Sequence, residues 1–373
     1  MYRSLRLATI FAVLTGSWAP SFADAVSLEP LCTQCGNSVK WANAVAMSVD
    51  GTHVVANGED LLSRTAPCHR PRQCSTAFAL KQGDAIPMPS INGFAEGVAM
   101  AVANDGTAVG YAYDAASFQP LFLPVVWPGG AAAKRLATLA QVEETQAVGI
   151  DSSSRIIGIG KIPAVNHGMS RSVAMLWCSH DSTPKLLPSL VAATDPSLNS
   201  GVTTAHAITD DGYIVGAVGM SDGFHPAYWR IDARCDVSMP TLLSNSRGVA
   251  LARIASGQFV GHNYRGELSQ AGAIWNSGTQ ITLEVPAPLM LTLNAGDADT
   301  LYGFVTDPDQ NVTRIYARDR HSNSDLKLPG NVADSLRFVT GVDRSGTAVG
   351  MGVVNGRFHP VKLHRPAARE AAR

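Results

Sequence analysis

Charge is scarce in this 373-residue chain: Asp, Glu, Lys and Arg together make up 16% of it, against roughly 25% in an average globular protein. With 34 Gly and 21 Pro, that scarcity argues against amphipathic helices and for many short strands and turns. An excess of one sign is also missing. The net charge of −1 gives no electrostatic case for nucleic acid or an anionic membrane as partner. Beyond the first residues no apolar run approaches the roughly 20 residues a spanning helix needs, so no membrane insertion is expected of the mature chain. The sequence has no G-x-S-x-G elbow, no P-loop and no H-E-x-x-H, and hence offers no catalytic, cofactor-binding or metal-binding set of known pattern.

What is present begins with an export signal. Arg3 and Arg6 precede an apolar core from Leu7 to Gly16, and small residues follow at Ser21–Ala23 and Ala23–Ala25. That order reads as a cleaved signal peptide over residues 1–25. A single domain over 26–365 and a disordered polar tail over 366–373 are expected to follow, in a periplasmic or extracellular protein that is a monomer.

The central observation is a repeat. Gly97–Gly110 (GVAMAVANDGTAVG) has relatives at Ala44–Ala56, Ala147–Gly158, Ala205–Gly216, Arg247–Gly261 and Thr340–Gly350, with a degraded copy at Leu289–Gly303. The closing positions Ala56, Gly110, Gly158, Gly216, Gly261, Gly303 and Gly350 lie 42 to 58 residues apart, matching propeller units of about 40 to 50 residues and four strands. A helical apolar period is absent from every unit, which excludes strand–turn–helix repeats.

Within a unit, a strand of small apolar residues meets an Asp-Gly or Ser-Gly turn, where Gly accepts positive φ and Asp bonds its own backbone. A second strand follows, then a third ending on a bulky side chain: Trp127, Trp177, Trp229, Trp275 and Tyr316, with Leu80 and Leu363 in the outer units. Leu-rich fourth strands are expected at Lys134–Leu139, Pro184–Leu190 and Met239–Leu243. Such a sheet has two apolar faces and buries both only by stacking in a closed ring. The expected fold is therefore an all-β, seven-bladed β-propeller. Its recurrent Trp would fill the gaps between blades, with ligand stacking as the alternative. The last unit lacks a fourth strand, and Val26–Leu31 has no partner of its own, so the N-terminal strand should complete the last blade.

The pattern A-x-x-x-D-G-x-x-V-G followed by His-Ala-Phe/Tyr-x-Trp resembles the probable extracellular repeat family named HAF. Asp211–Gly216 with His225–Trp229 matches it best, then Ser345–Gly350 with His359-Pro-Val. The resemblance implies an extracellular or periplasmic location and no established chemistry.

Six cysteines, an even number, suit disulfides in an exported protein: Cys32, Cys35, Cys68, Cys74, Cys178 and Cys235. Locality pairs Cys68 with Cys74. Cys178 and Cys235 follow the third strands of neighbouring units, where a bridge would tie blades together. Cys32-x-x-Cys35 then remains as a structural disulfide. A thiol redox site would need a helix N-terminus in a βαβ setting, and zinc on Cys32, Cys35, Cys68 and Cys74 would need an unusual C-x5-C half.

Three further features have functional alternatives. Asp307–Asn311 resembles a calcium loop without its Gly and distal Glu, and is better read as a turn. Ser48–Thr52 resembles a sialidase Asp-box one residue short, and reads as a turn as well. His225 and His359 occupy one repeated position before the third strand, which favours a structural role. The expected function is a binding scaffold for an unidentified protein or carbohydrate, with variable loops at 113–123, 161–171 and 191–203. A hydrolase or lyase acting on carbohydrate or peptide at the channel is the alternative.

Overall fold

The computed structural model describes residues 26–35, 38–60, 75–94, 96–114, 122–163, 170–190, 201–265, 270–276, 278–310, 312–326 and 328–364. The signal segment, the tail and the Cys68–Cys74 loop lie outside them. Seven antiparallel four-stranded sheets follow one another along the chain. Their first strands are Val39–Met47, Glu96–Val102, Glu143–Ile150, Thr203–Ile208, Gly248–Arg253, Met290–Gly296 and Leu336–Val342, which define blades 1 to 7. First strands of neighbouring blades touch all the way round, blade 7 against blade 1 included. They therefore ring the axis. The chain is a seven-bladed β-propeller, with one α-helix, the six-residue Gly330–Ser335, and a single 3-10 turn at Pro128–Gly130 among the described residues.

The recurrent glycine has a steric cause. In blades 2 to 7 the closing Gly pairs with the first strand beside a β-bulge, as where Ala99 faces Gly110 and Ala101 faces Val109. The bulge drives a first-strand carbonyl onto the glycine Cα. A Cβ on Gly110 would collide with the Val98 oxygen, on Gly216 with that of Thr204, and on Gly350 with that of Phe338. Blade 1 bulges elsewhere, between Trp41 and Val45, and its closing position holds Ala56. One extra residue per bulge bends the strand and leaves a side chain outside the ladder.

Seven apolar clusters hold the ring, and each joins two adjacent blades. Val215 of blade 4, for example, packs with Ala250, Phe259 and Trp275 of blade 5, while Ile274 of blade 5 packs with Leu291 and Leu293 of blade 6. The four Trp of the series are completely buried. Three donate their indole N–H to the carbonyl of a linker left behind by the preceding blade: Trp127 to Pro89, Trp177 to Ala137 and Trp229 to Pro188, at 2.8 to 2.9 Å. Trp275 reaches Gln280 of its own blade. A buried ring with its one donor satisfied is core, and the ligand-stacking alternative fails.

Blade 6 departs from the expected series. Gly303 pairs with Tyr316, whereas Gly216 pairs with Ala227, two residues before Trp229. The Trp position in blade 6 is thus Arg318, not Tyr316. Its guanidinium is held by Asp325, Asn323 and the Tyr316 hydroxyl, and Tyr302 from the second strand supplies the buried bulk.

The fourth strands are shorter than expected, at Lys134–Arg135, Lys185–Leu186 and Thr241–Leu242. Leu136 and Leu187 donate one more ladder bond each, to Pro124 and Ala174. Their side chains then turn into the interblade core and end the strand.

Closure follows the expected route. Ser27–Pro30 pairs antiparallel with Arg357–His364, Ser27 opposite His364 and Pro30 opposite Val361. Leu31 N–H adds a bond to the Pro360 carbonyl at 2.9 Å.

Candidate functional site

The two ends of the channel differ in construction. One rim carries the turns between first and second strands, and these are locked by their own side chains. Asp343 accepts backbone N–H bonds from Ser345 and Thr347, and Asp151 from Ser153 and Arg155. The turns are also tied to one another: Asp50 N–H to Asn104, Ser152 N–H to Asp210, Arg344 N–H to the Val49 carbonyl. The Arg344 guanidinium of blade 7 reaches Asp210 of blade 4, 2.9 Å away, across the axis of the ring. Arg253 pairs with Asp211 and lies over the Tyr213 ring at 4.1 Å. Asp210, Asp211, Arg253, Asp343 and Arg344 line a mouth cavity of about 450 Å³ together with the apolar Ile208, Ile254 and Val342. This rim is a polar belt that fixes blade against blade.

The opposite rim carries the connections between second and third strands and those between blades. Ser221–Asp222 and Asn355–Gly356 are tight turns there, while residues 61–74 and 191–200 lie outside the described residues. In blade 2 the rings of Tyr111, Tyr113 and Phe122 meet there at 5.4 to 6.0 Å, all partly exposed. Burial, then the nearby Glu96 carboxylate, pushes the Tyr113 phenol well above its ordinary range.

Between the rims, the bulge of blade 4 leaves His206 outside the ladder on the axial strand. Water reaches His206, but the walls around it lower its pKa to about 4. His262, one strand back in blade 5, is 9% exposed and has no hydrogen-bond partner at either ring nitrogen. Burial first, and the charge of His206 second, bring it to about 4 as well. Both imidazoles are neutral near pH 7 and can accept a proton. Sequence reading missed them. The available signal was the polar residue in Ala205-His206-Ala207, where other units read Ala99-Met100-Ala101 and Ala147-Val148-Gly149.

The cysteines behave structurally where they are described. Cys178 and Cys235 form a bridge between blades 3 and 4, with Cα atoms 5.9 Å apart, as expected. Cys32 and Cys35 also form a disulfide. Both are buried against Trp41, Phe78 and Leu80 of blade 1 and Val349 and Met351 of blade 7. No helix N-terminus adjoins them among the described residues, and sulfurs joined in a disulfide are not zinc thiolates. Cys68 and Cys74 lie outside the described residues.

The other motifs are turns. Asp307 accepts the Asp309 and Gln310 N–H groups, which engages one carboxylate oxygen in a turn rather than presenting a ligand cage. Asp50 is held below its ordinary range, first by the Ser48 hydroxyl, and also accepts bonds from Thr52. His225 is buried and bonds Asp222 at 2.8 Å. His359 is half-buried beside a pocket of about 530 Å³ at the seam between the closing strand and blade 7.

No protein-family model matches the chain, and no curated protein does. Solved structures do. An oligogalacturonate lyase from Vibrio parahaemolyticus superposes with a TM-score of 0.53 at 9% identity, over 92% of this chain and 97% of that one. An ulvan lyase gives 0.50 at 10% identity, over 88% and 94%. An acylaminoacyl peptidase from Pyrococcus horikoshii gives 0.52 at 8% identity over 87% of this chain, which spans about half of that enzyme's length. The likeness is one of fold. These neighbours are propeller proteins of differing chemistry, and the chain shares their scaffold.

Proposed function

We propose that this chain is an exported propeller that binds its ligand on the rim formed by the connections between second and third strands. The observation that carries this reading is the asymmetry of the two ends. One rim spends its polar side chains on its own turns and on neighbouring blades, with Arg344 lying across the axis to Asp210. The other presents a partly exposed aromatic group at Tyr111, Tyr113 and Phe122, and the strands that end there are joined by connections of unequal residue number. Aromatic rings with one polar end suit protein and carbohydrate ligands alike. Export is supported by the residue 1–25 signal pattern and the two disulfides. Among the described residues no helix is long and apolar enough to cross a membrane.

The test is a glycan and peptide array probed with the mature chain, followed by titration of any hit against Tyr113→Ala and Phe122→Ala. Loss of binding in these variants, with Arg344→Gln unaffected, supports the rim. Binding abolished by Arg344→Gln alone would move the site to the other end. One observation favours a catalytic alternative: His206 is a neutral, water-accessible imidazole on an axial strand, placed to accept a proton from a substrate in the channel. Turnover of an array hit that disappears in His206→Ala would establish an enzyme.

A further inference from the structure

Equivalent positions in two seams of the ring carry side chains of very different size. Where blade 4 meets blade 5, Tyr228 and Phe259 stack with ring centroids 5.0 Å apart. The Tyr213 ring lies 5.5 and 5.9 Å from theirs, and Arg253 sits over it at 4.1 Å. The strand registers give the counterparts where blade 1 meets blade 2. Tyr228, opposite Val215, corresponds to Ala79, opposite Val55. Phe259, opposite Trp275, corresponds to Ala108, opposite Trp127. Arg253, opposite Phe259, corresponds to Val102, opposite Ala108. Two alanines and a valine stand where the other seam has two rings and a guanidinium.

The seam between blades 3 and 4 is closed in another way. Cys178 directly follows Trp177 and is bridged to Cys235 in the third–fourth hairpin of blade 4. In blade 1 the residue after Leu80 is Lys81, and the hairpin of blade 2 is Pro128–Gly130. Neither Gly129 nor Gly130 has anything within 4 Å of the point a Cβ would occupy.

What is left between blades 1 and 2 is a pocket of about 290 Å³, at the lower edge of the range for small-ligand sites, about 300–1,000 Å³. Val55, Ile86 and Met88 contribute apolar wall, and Lys81, His53 and Asp105 line it from exposed positions. Asp105 is taken up by its own turn, accepting the Thr107 N–H at 2.8 Å. Lys81 has no ion pair among the described residues. An ammonium and an imidazole beside an apolar slot complement a carboxylate carried on an apolar body.

We propose that this seam pocket binds a small aromatic carboxylate, its ring in the space that Tyr228 and Phe259 fill between blades 4 and 5 and its carboxylate on Lys81. The pocket lies beside first–second turns and third–fourth hairpins, at the opposite end of the blades from Tyr113 and Phe122. It does not rest on the ligand rim proposed above.

The experiment is a ligand-observed NMR titration of the full mature chain with phenylacetate, phenylacetamide and acetate. Phenylacetate should bind, and the amide and the ring-less acid should bind far more weakly. Lys81→Gln should weaken phenylacetate by about fivefold, and Lys81→Arg should retain it. Lys81 is exposed, so both variants should melt like the parent. Ala79→Tyr, which fills the slot with the side chain of the blade 4 position, should abolish binding, with thermal melting as the check on its fold. Phe122→Ala, at the far rim, should bind phenylacetate unchanged, which separates failure of this site from failure of the rim. Absence of phenylacetate binding, equal binding of phenylacetamide or acetate, or full affinity in Lys81→Gln or in a folded Ala79→Tyr would overturn the proposal.

Discussion

Deleting residues 26–31 from the mature chain removes the strand that closes the ring, and the structure sets the expected loss. Val26 is 6% exposed and packs with Leu336, Val361 and Leu363. A buried side chain of this kind contributes about 1.5–3 kcal/mol. Leu28 and Leu31 are partly buried, in the clusters on either side of blade 7, and add about 2 kcal/mol together on the same scale. The ladder bonds to Arg357–His364 would be replaced by water at an exposed edge, at a net cost of about 1 kcal/mol each at most. The Glu29–His364 pair is exposed at the surface and adds little.

The total is about 5 kcal/mol, comparable with the whole stability of a marginal domain. For a chain of this size it corresponds to a fall of about 10 °C in melting temperature. Differential scanning calorimetry of the deletion beside the intact protein measures it, and light scattering should register association through the bared edge. A truncation after His364 should melt like the parent. If the deletion does too, the ring is not held shut by this strand and the closure argument fails.

Three other outcomes follow from the geometry. His262 sits near 4 in the fold against about 6.5 in the unfolded chain. Between those values the unfolded state binds the extra proton, so stability should drop as pH falls from 6.5 to 4, by about 3 kcal/mol from this residue. Urea midpoints across that range should flatten in His262→Gln, and an unchanged slope would refute the assignment. Cys178→Ser with Cys235→Ser should cost about 2–4 kcal/mol by chemical denaturation, and a loss below 1 kcal/mol would mean the blades need no tie there. Gly216→Ala places a methyl against the Thr204 carbonyl and should destabilise by about 2–4 kcal/mol, whereas a neutral result would show that the bulge can shift.

The repeat was legible because its causes recur identically. The same bulge demands the same glycine in six blades, and the same gap takes the same Trp in four. Legibility ended where blades stop being copies. Arg318 occupies a Trp position that an apolar criterion assigns to Tyr316, because a guanidinium held by Asp325 fills the space by polar means. The fourth strands end early because Leu136 and Leu187 belong to the space between blades rather than to a sheet, a distinction that a Leu-rich segment does not display. Arg344 and Asp210 are 134 residues apart and meet only because the ring brings blade 7 opposite blade 4.

The apolar clusters carry a consequence for how such a protein can change. Each cluster is shared by two blades, so the core is a property of seven interfaces and of no single unit. The connections between second and third strands begin and end within one blade, and their described residues, the turns Ser221–Asp222 and Asn355–Gly356 among them, belong to none of those clusters. Length added there costs chiefly loop entropy, which rises only slowly with length, and leaves the packing of neighbours untouched. The scaffold thus separates what must be kept from what is free to vary, and one ring can be refitted to new ligands at one rim without a fresh solution to the problem of folding.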